Sequence, residues 1–325
     1  MIPNQWYAIL EPQEVKTGKP LSVTRMGERL VFWRDSKGVL TCMKDFCVHR
    51  GAALSIGKIV NDRIQCPFHG FEYNQTGRCQ CIPANGRNAK VPNIFQVETY
   101  HVVEVHGFVW LWWGDKREEY PPLPFFSDID DSFNYGKFRD YWQVHYSRAI
   151  ENQLDVFHIP FVHATTIGRG DRTISDGPLA RLENGNMEIW AYNRKDDGSQ
   201  ALRPDDLSEP QRPPQLIFKV PNIWMDRISD AMRIIVAFVP IDEGNCVIYL
   251  HQYQRMIKIP LISSLFDWIS ILGSKVILRQ DKRVVLTQRP VKSDIKLNEK
   301  LIVQDRPIIL YRSQRKSMIE KKSPN

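Results

Sequence analysis

Two short motifs, Cys47-Val48-His49 and Cys66-Pro67-Phe68-His69, constrain the fold of this chain more than any other sequence feature. Each motif places one thiol and one imidazole in a loop, and sixteen residues separate His49 from Cys66. A glycine comes shortly after each motif, at Gly51 and Gly70, and permits the tight turn that lets a loop fold over a metal. Two thiolates and two imidazoles therefore predict a metal centre held between two loops.

Two kinds of centre use this ligand set. Cys2His2 binds structural zinc, but zinc fingers usually place both Cys in one loop and both His in the other. One Cys and one His per loop suits a [2Fe–2S] cluster in which two Cys hold one iron and two His the other. The double motif, with the flank His49-Arg50-Gly51-Ala52 and the strand Gly107-Phe108-Val109-Trp110, resembles the Rieske [2Fe–2S] signature. Phe71 stands where that signature often has Trp. The resemblance implies that Cys47 and Cys66 bind the inner iron, and that His49 and His69 bind the outer one.

The remaining cysteines are expected to be free thiols. Cys42, Cys79 and Cys81 lie near the two motifs, but they do not match the extra cysteines inside the ligand loops that the resemblance to respiratory-chain Rieske proteins would imply for a stabilising disulfide. The N-terminus has no basic segment followed by an apolar one, so we expect no signal peptide. Six cysteines in a chain without an export signal are expected to be reduced thiols or metal ligands, and this favours a cytoplasmic location.

The chain is long enough for about two domains, at roughly 150 residues each. Residues 5–115 read as short β-strands separated by turns, which predicts a small all-β domain. The Pro-rich segment 120–124 predicts the link to a second domain. Later strand-like segments, between a helical segment over 147–163 and a helix over 261–286, predict an α+β domain with helices flanking an antiparallel sheet. We place the domains at 1–117 and 118–325, and expect a short strand at 307–311.

A second group of candidate metal ligands lies in the segment Glu151 to His163. His158 and His163 are five residues apart, and Asp155 precedes the first by three. On an uninterrupted helix a step of five turns the side chain by about 140°, so the two rings would not share a face. Pro160 lies between them and is expected to break the helix, which would let the imidazoles converge. The alternative is a pair of buried core histidines.

Two histidines and one carboxylate form the facial triad of non-haem Fe(II) enzymes, which leaves coordination positions open. Asp281 is the best candidate, because steps of four along a helix place it beside an apolar stripe expected to face the core. A carboxylate facing a core is costly unless it is paired or bound to a metal. The stripe contains Ile269, Leu272, Val276 and Ile277, and the other candidate carboxylates are Asp267, Asp294, Glu299 and Asp305.

The segment Asn-x-x-Asp-x-x-His-x4-His, followed late in the chain by Gln-Asp, resembles the catalytic domain of Rieske non-haem iron oxygenases. The resemblance covers both domains in the family's order and implies a helix-grip fold for the second. It implies that His158, His163 and Asp281 bind a mononuclear Fe(II). Asp155 matches the family's catalytic Asp that links a Rieske His to an iron-ligand His across a subunit boundary, and Asn152 matches a polar residue near the iron.

The family resemblance also implies partners. The cluster of one subunit serves the iron of its neighbour, which implies a homotrimer. Electrons are expected to come from NAD(P)H through a separate ferredoxin or flavin reductase, because no Gly-x-Gly-x-x-Gly motif follows a strand in this chain. The expected enzyme is a terminal oxygenase that uses O2 to hydroxylate, or to O- or N-demethylate, an apolar or aromatic small molecule. Aromatic cis-dihydroxylation is the enzymatic alternative, and an electron carrier or a zinc-binding structural protein are the alternatives from other classes.

Charge and apolar side chains leave further alternatives open. Residues 251–325 carry sixteen Lys and Arg against six Asp and Glu, within a chain of net charge +7. This basic segment is either a solvated surface or a docking surface for an acidic reductase or an anionic membrane; no nucleic-acid motif accompanies it. Charges interrupt the apolar segment 257–278, which predicts an amphipathic helix and no stable membrane insertion. Four aromatic residues near the iron motif suggest either an apolar pocket or ordinary core: Trp142, Tyr146, Phe157 and Phe161.

Overall fold

The computed structural model describes residues 1–183 and 185–321. The chain divides into two compact units, one of Asn4–Pro121 and one that joins Met1–Pro3 to Pro122–Asn325. The domain boundary between residues 117 and 118 stays a prediction.

The first unit contains eleven short strands in three antiparallel sheets, of orders β1-β11-β10, β2-β3-β4-β9 and β5-β6-β7-β8. The strands are short because turn-forming Gly, Asn and Asp residues recur every few positions. The third sheet holds the two candidate ligand loops, since one loop precedes β5 and the other joins β6 to β7. The strands of the three sheets are β1 Gln5–Leu10, β2 Leu21–Arg25, β3 Glu28–Arg34, β4 Leu40–Lys44, β5 Lys58–Val60, β6 Arg63–Gln65, β7 Glu72–Tyr73, β8 Cys79–Cys81, β9 Thr99–Tyr100, β10 Val102–Val105 and β11 Phe108–Trp113.

The second unit is a seven-stranded antiparallel sheet of order β12-β18-β17-β16-β15-β14-β13, with helices packed against it. This arrangement confirms the predicted fold class, an all-β domain followed by an antiparallel sheet with flanking helices. The strands are β12 Asn134–Trp142, β13 Ile174–Glu183, β14 Asn186–Arg194, β15 Leu216–Lys219, β16 Ile223–Ser229, β17 Met232–Pro240 and β18 Cys246–Gln254. The helices are α1 Tyr146–Leu154, α2 Ile159–Val162, α3 Pro260–Val285 and α4 Arg306–Glu320.

The helical segment that carries the two candidate histidines is interrupted, but not where the sequence predicts. Helix α1 ends at Leu154, and Asp155 takes an extended conformation with φ −73° and ψ 126°. The Asp155 carboxylate accepts hydrogen bonds from the backbone N–H groups of Phe157 and His158, at 2.9 and 3.1 Å. Pro160 lies in the first turn of α2, where its missing N–H costs little. The expectation that Pro160 breaks the helix is therefore wrong; Asp155 ends α1 instead.

Helix α3 packs on β12 with a face that matches the prediction only in part, since Asp281 lies inward as expected but most of the predicted apolar stripe does not. Its inward residues are Ser263, Ile271, Ser274, Leu278, Asp281 and Val285. Ile269, Leu272 and Val276, expected in the core, are exposed. Gly136 of β12 permits the close approach, because a Cβ there would lie 2.8 Å from Ile271 Cγ1. Two hydrogen bonds of 2.8 Å fix which face of α3 lies inward. The Ser274 hydroxyl donates to Gln252 Oε1, and Gln254 Nε2 donates to the Ser263 hydroxyl.

Helix α4 replaces the strand expected at 307–311, and a buried ion-pair network joins it to α1. Arg312 lies 2.7 Å from Glu151 and 2.6 Å from Glu299, and Arg148 lies 3.2 and 2.7 Å from the same carboxylates. Buried charges are tolerated only when each is paired in this way. The network therefore fixes α1, and with it the position of Asp155 at the end of the helix.

Candidate metal centres

The two loops of the first unit have the same backbone design. In the first, Cys47 N–H donates to Ala52 O, and Gly51 N–H donates to Cys47 O, both at 2.8 Å. In the second, Cys66 N–H donates to Phe71 O at 2.8 Å, and Gly70 N–H donates to Cys66 O at 3.1 Å. Gly51 and Gly70 both adopt positive φ, at 76° and 73°, which explains the glycine in each motif.

This design buries the thiols and exposes the imidazoles. Cys47 and Cys66 are 1 % and 2 % exposed, while His49 and His69 lie at the surface with ring centroids 4.6 Å apart. The Cys47 Sγ also lies 3.1 Å from the Tyr73 hydroxyl. The structure thus pairs the two predicted imidazole ligands at the surface and buries the two predicted thiol ligands. The other cysteines, Cys42, Cys79, Cys81 and Cys246, are free and buried.

The second unit brings His158, His163 and Asp281 together. One ligand atom from each lies within 4.8 Å of the other two. Asp281 Oδ1 is 3.0 Å from His163 Nε2 and 3.4 Å from His158 Nε2. Among the described residues this buried oxygen has no partner in hydrogen-bond geometry, nor does Nδ1 of His158. Two imidazole nitrogens and one carboxylate around a common point fit a divalent metal of the Fe(II) type.

The charges at this site also favour a cation. Burial alone would favour the neutral acid, yet the imidazoles of His158 and His163 lower the pKa of Asp281 to about 2. Burial likewise disfavours protonated His158, but the carboxylates of Asp155 and Asp281 outweigh it and raise the pKa of His158 to about 9. The buried carboxylate is therefore stable with a positive charge beside it, which protonated His158 supplies here and a bound metal ion would supply in its place.

Three neighbouring side chains orient the ligands. Gln280 Oε1 lies 2.8 Å from His163 Nδ1 and also accepts from the Thr166 hydroxyl, at 2.9 Å. Because an amide oxygen only accepts, His163 carries its proton on Nδ1 and leaves Nε2 free for a metal. Gln153 Nε2 donates to Asp281 Oδ2 at 3.4 Å. Asp155 Oδ1 lies 3.5 Å from Nδ1 of His158.

A cavity opens beside the three ligands and contains about 870 Å³ of space, part of it open to solvent. Its walls are mostly apolar side chains of the sheet and of α3, namely Leu216, Trp224, Ile234, Val236, Leu250, Ile277 and Leu278. Asp226 also lines it, and its buried Oδ1 has no hydrogen-bond partner among the described residues. Burial raises the pKa of Asp226 to about 7, although contact with Gln215 opposes the shift. The cavity thus combines an apolar wall with a carboxyl group, that of Asp226, in addition to the Asp281 ligand.

Other predicted residues lie elsewhere. Asn152 is not among the residues that line the cavity; its neighbour Gln153 is. Trp142 and Tyr146 belong to the core, which favours the core alternative for these two, and Phe161 is exposed. Asp267 lies 3.4 Å from the Ser263 hydroxyl and Glu299 pairs with arginines, so neither joins the histidines.

Sequence reasoning gave no role to Gln280 or Asp226. Gln280 carried one signal, its position next to Asp281 on α3. Asp226 carried none, because a polar residue in a strand reads as solvent-facing unless the sheet register is known.

Comparison with known proteins agrees with this architecture. Residues 5–101 match the Rieske [2Fe-2S] domain family, and residues 142–321 match the vanillate O-demethylase oxygenase C-terminal domain family. The chain is 31% identical over 188 residues to the vanillate O-demethylase oxygenase subunit of a Pseudomonas species, covering 57% of this chain and 51% of that protein. It is 26% identical over 314 residues to protein TIC 55, chloroplastic, of Arabidopsis thaliana, covering 93% of this chain and 55% of that protein. The chain therefore spans about half the length of these curated relatives.

Among solved structures, Pseudomonas putida CBB5 NdmA with caffeine aligns with a TM-score of 0.77 at 23% identity, over 98% of this chain and 91% of that one. At that identity the match shows a common fold. The C-terminal family match alone covers more than half of the chain, and the Rieske match precedes it. The chain belongs to the Rieske non-haem iron oxygenases.

Proposed function

We propose that this chain is the terminal component of an oxygenase that hydroxylates, or oxidatively O- or N-demethylates, an apolar or aromatic small molecule. The observation that carries the proposal is the group His158, His163 and Asp281 at the wall of an apolar cavity. A metal ion alone could be structural, but a metal centre open to an apolar cavity suits a reaction on an apolar substrate.

Cys47, His49, Cys66 and His69 would hold the [2Fe–2S] cluster, which transfers single electrons when bound. Buried thiols support the inner iron site, and exposed imidazoles support an outer site from which electrons enter and leave. The pair of matching loops, with equivalent hydrogen bonds at Cys47 and Cys66, supports a cluster shared equally between them.

His158, His163 and Asp281 would hold Fe(II), which supplies O2 activation at its open positions when bound. The chain's own residues prepare that site. Gln280 keeps the proton of His163 on Nδ1, so that Nε2 faces Asp281. Gln153 holds the second oxygen of Asp281. The apolar wall keeps water away from the reacting carbon of a bound substrate.

The cavity also limits the substrate. Its walls favour an apolar body, and Asp226 favours a substrate with one polar group placed to bond that carboxyl. The vanillate O-demethylase relative supports demethylation as one reaction of this site. We further propose that a separate reductase delivers electrons from NAD(P)H, that the protein is a homotrimer, and that Asp155 links His158 to the cluster of a neighbouring subunit. Its position 3.5 Å from Nδ1 of His158 supports the last point.

A single-turnover experiment tests the proposal. The anaerobic protein would be chemically reduced, mixed with a panel of apolar methoxy, N-methyl and unsubstituted aromatic compounds, and exposed to ¹⁸O2. We expect a product carrying one ¹⁸O atom, or a demethylated product with formaldehyde. Two ¹⁸O atoms in a cis-diol would instead show dihydroxylation.

Asp281→Ala should abolish the product, and Asp267→Ala, on the same helix but away from the histidines, should retain it. Cluster oxidation without product formation, across the whole panel and with iron bound at full occupancy, would favour an electron carrier.

A further inference from the structure

The outward face of α3 is apolar over more than half of the helix. Leu261 is 85 % exposed and Trp268 61 %, although large apolar side chains normally lie inside. Such a continuous apolar face marks an interaction surface. The other members, all exposed and spaced three or four residues apart or next to such positions, are Ile262, Leu265, Ile269, Leu272 and Val276, with Met256 and Ile259 just before the helix.

This helix is long and apolar enough, by length and composition, to cross a membrane. Its inward face shows that it does not do so in this fold. Ser263 and Ser274 hydrogen-bond to Gln254 and Gln252 of β18, and Asp281 lies with the two histidines. A helix that left the sheet would lose all of these contacts. An amphipathic helix held in this way can lie along a membrane surface instead.

The charges around the face select its partner. Both acidic residues of α3, Asp267 and Asp281, are on the inward side: Asp281 is buried, and Asp267 lies beside Ser263. The surroundings of the apolar face are basic, with Arg255 and Lys258 before the helix and Arg279 and Arg283 in its second half. Lys275 and Lys282 turn toward β12 instead, where Lys275 lies over the Phe138 ring and Lys282 pairs with Asp140. Two copies of this face would bring like charges together, whereas an anionic surface would attract them.

We propose that α3 docks this protein on the surface of an anionic lipid bilayer, with its apolar face in the headgroup region and its basic residues on lipid phosphates. The helix lies in the plane of the interface and does not span the bilayer. Trp268 is placed to enter the interface, the depth that tryptophan favours in membranes.

The inward side of the same helix lines the cavity through Ser274, Ile277, Leu278 and Asp281. The cavity would then lie roughly one helix diameter, about 10 Å, from the lipid. If the proposed function holds, an apolar substrate dissolved in the bilayer has a short route to the site. This extension rests on the proposed function, whereas docking itself is tested without any turnover.

The test is flotation of the full-length, cluster-loaded protein with two sets of vesicles. One set is pure phosphatidylcholine, and the other contains about a third phosphatidylglycerol. We expect binding to the anionic vesicles that weakens as salt is raised. The triple variant Leu265→Ser/Trp268→Ser/Leu272→Ser should bind roughly tenfold or more weakly, because three apolar side chains are lost from the interface.

A matched variant places three serines at other exposed apolar positions, Ile94, Leu202 and Ile302, and should bind like the wild type. Bromine-labelled lipid should quench the tryptophan fluorescence of the wild type more than that of Trp268→Phe. Equal binding by the two triple variants would overturn the proposal. A wild-type protein that ignores vesicles, but changes oligomeric state when the α3 face is substituted, would overturn it in favour of a contact between copies.

Discussion

Asp226 gives the sharpest test of the cavity chemistry. It lies on β16, opposite Leu216 and Ile234 of the neighbouring strands, and lines the apolar cavity and a more polar pocket next to it. Burial raises its pKa from the ordinary value of 3.8 to about 7. The folded protein therefore keeps a proton that the unfolded chain releases between pH 4 and pH 7, and its stability falls as pH rises through that window. Below pH 4 both states are protonated and the effect vanishes.

Asp226→Asn removes this titration. A pKa raised from 3.8 to about 7 corresponds to about 4 kcal/mol when the effect is complete, and linkage places about 2 kcal/mol of it at pH 5 and essentially all of it at pH 8. The free energy of unfolding of the variant, relative to the wild type, should thus grow by about 2–3 kcal/mol between the two pH values. For a unit of this size, the difference between the Tm of the variant and the Tm of the wild type should therefore increase by about 5–10 °C from pH 5 to pH 8.

Scanning fluorimetry at pH 5 and pH 8 measures both proteins under matched conditions. Asp230→Asn, an exposed carboxylate in the turn that follows the same strand, is the control and should show no such growth. Because the Tm difference between variant and wild type is compared at two pH values, any effect of the substitution that does not depend on pH cancels. A Tm difference between Asp226→Asn and wild type that is the same at both pH values would refute the reasoning, since it would mean that Asp226 ionises as an ordinary surface carboxylate.

Four further outcomes are expected. Asp281→Ala should lower the iron content by about one atom per chain and leave the visible cluster spectrum unchanged; loss of the spectrum would contradict separate sites. Gln280→Ala should weaken iron binding by about 10–100-fold in chelator competition, while Gln280→Glu, which keeps an acceptor for His163, should bind nearly normally; equal loss in both would rule out the orienting role. Arg312→Ala should cost about 3–5 kcal/mol of unfolding free energy by denaturant titration, because buried carboxylates lose a partner; a cost under about 1 kcal/mol would show that the network is dispensable. Turnover with the native reductase should slow as salt is raised, because the segment 251–325 is basic; a rate independent of ionic strength would contradict reductase docking there.

The candidate ligands could be proposed from the sequence because their signals are local. Cys47 and His49 share one loop, Cys66 and His69 another, and the chemistry of each loop reads directly from its spacing. Asp281 was proposed for a different reason, its helical step of four from Ile277; that step holds, because both residues line the cavity, although the rest of the predicted stripe is exposed. Proposing these ligands needs only the residue types and their spacing along a loop or a helix, and a sequence contains both.

The orientation of α3 could not be predicted in the same way. Helical periodicity identifies an apolar face but does not say whether a core, a membrane or a partner covers it. The choice depends on Gln252 and Gln254 of β18, which hydrogen-bond the serines of the opposite face. Those contacts exist only after the sheet has formed.

Helix α4 shows the ambiguity of short apolar segments. Pro307-Ile308-Ile309-Leu310-Tyr311 is β-branched and aromatic, so by itself it favours a strand. Tertiary contacts decide otherwise, because Arg312 reaches the buried carboxylate of Glu151 and the partly exposed carboxylate of Glu299 from a helix.

Iron and acid-labile sulfide content of the anaerobically purified protein tests the central claim most directly. Two sites of the proposed kinds require about three iron atoms and about two sulfides per chain, the cluster contributing two of the irons. Asp281→Ala should then contain about two irons and two sulfides, which assigns the third iron to the site of His158 and His163. Zinc in place of iron, with no sulfide, would contradict the account of both centres.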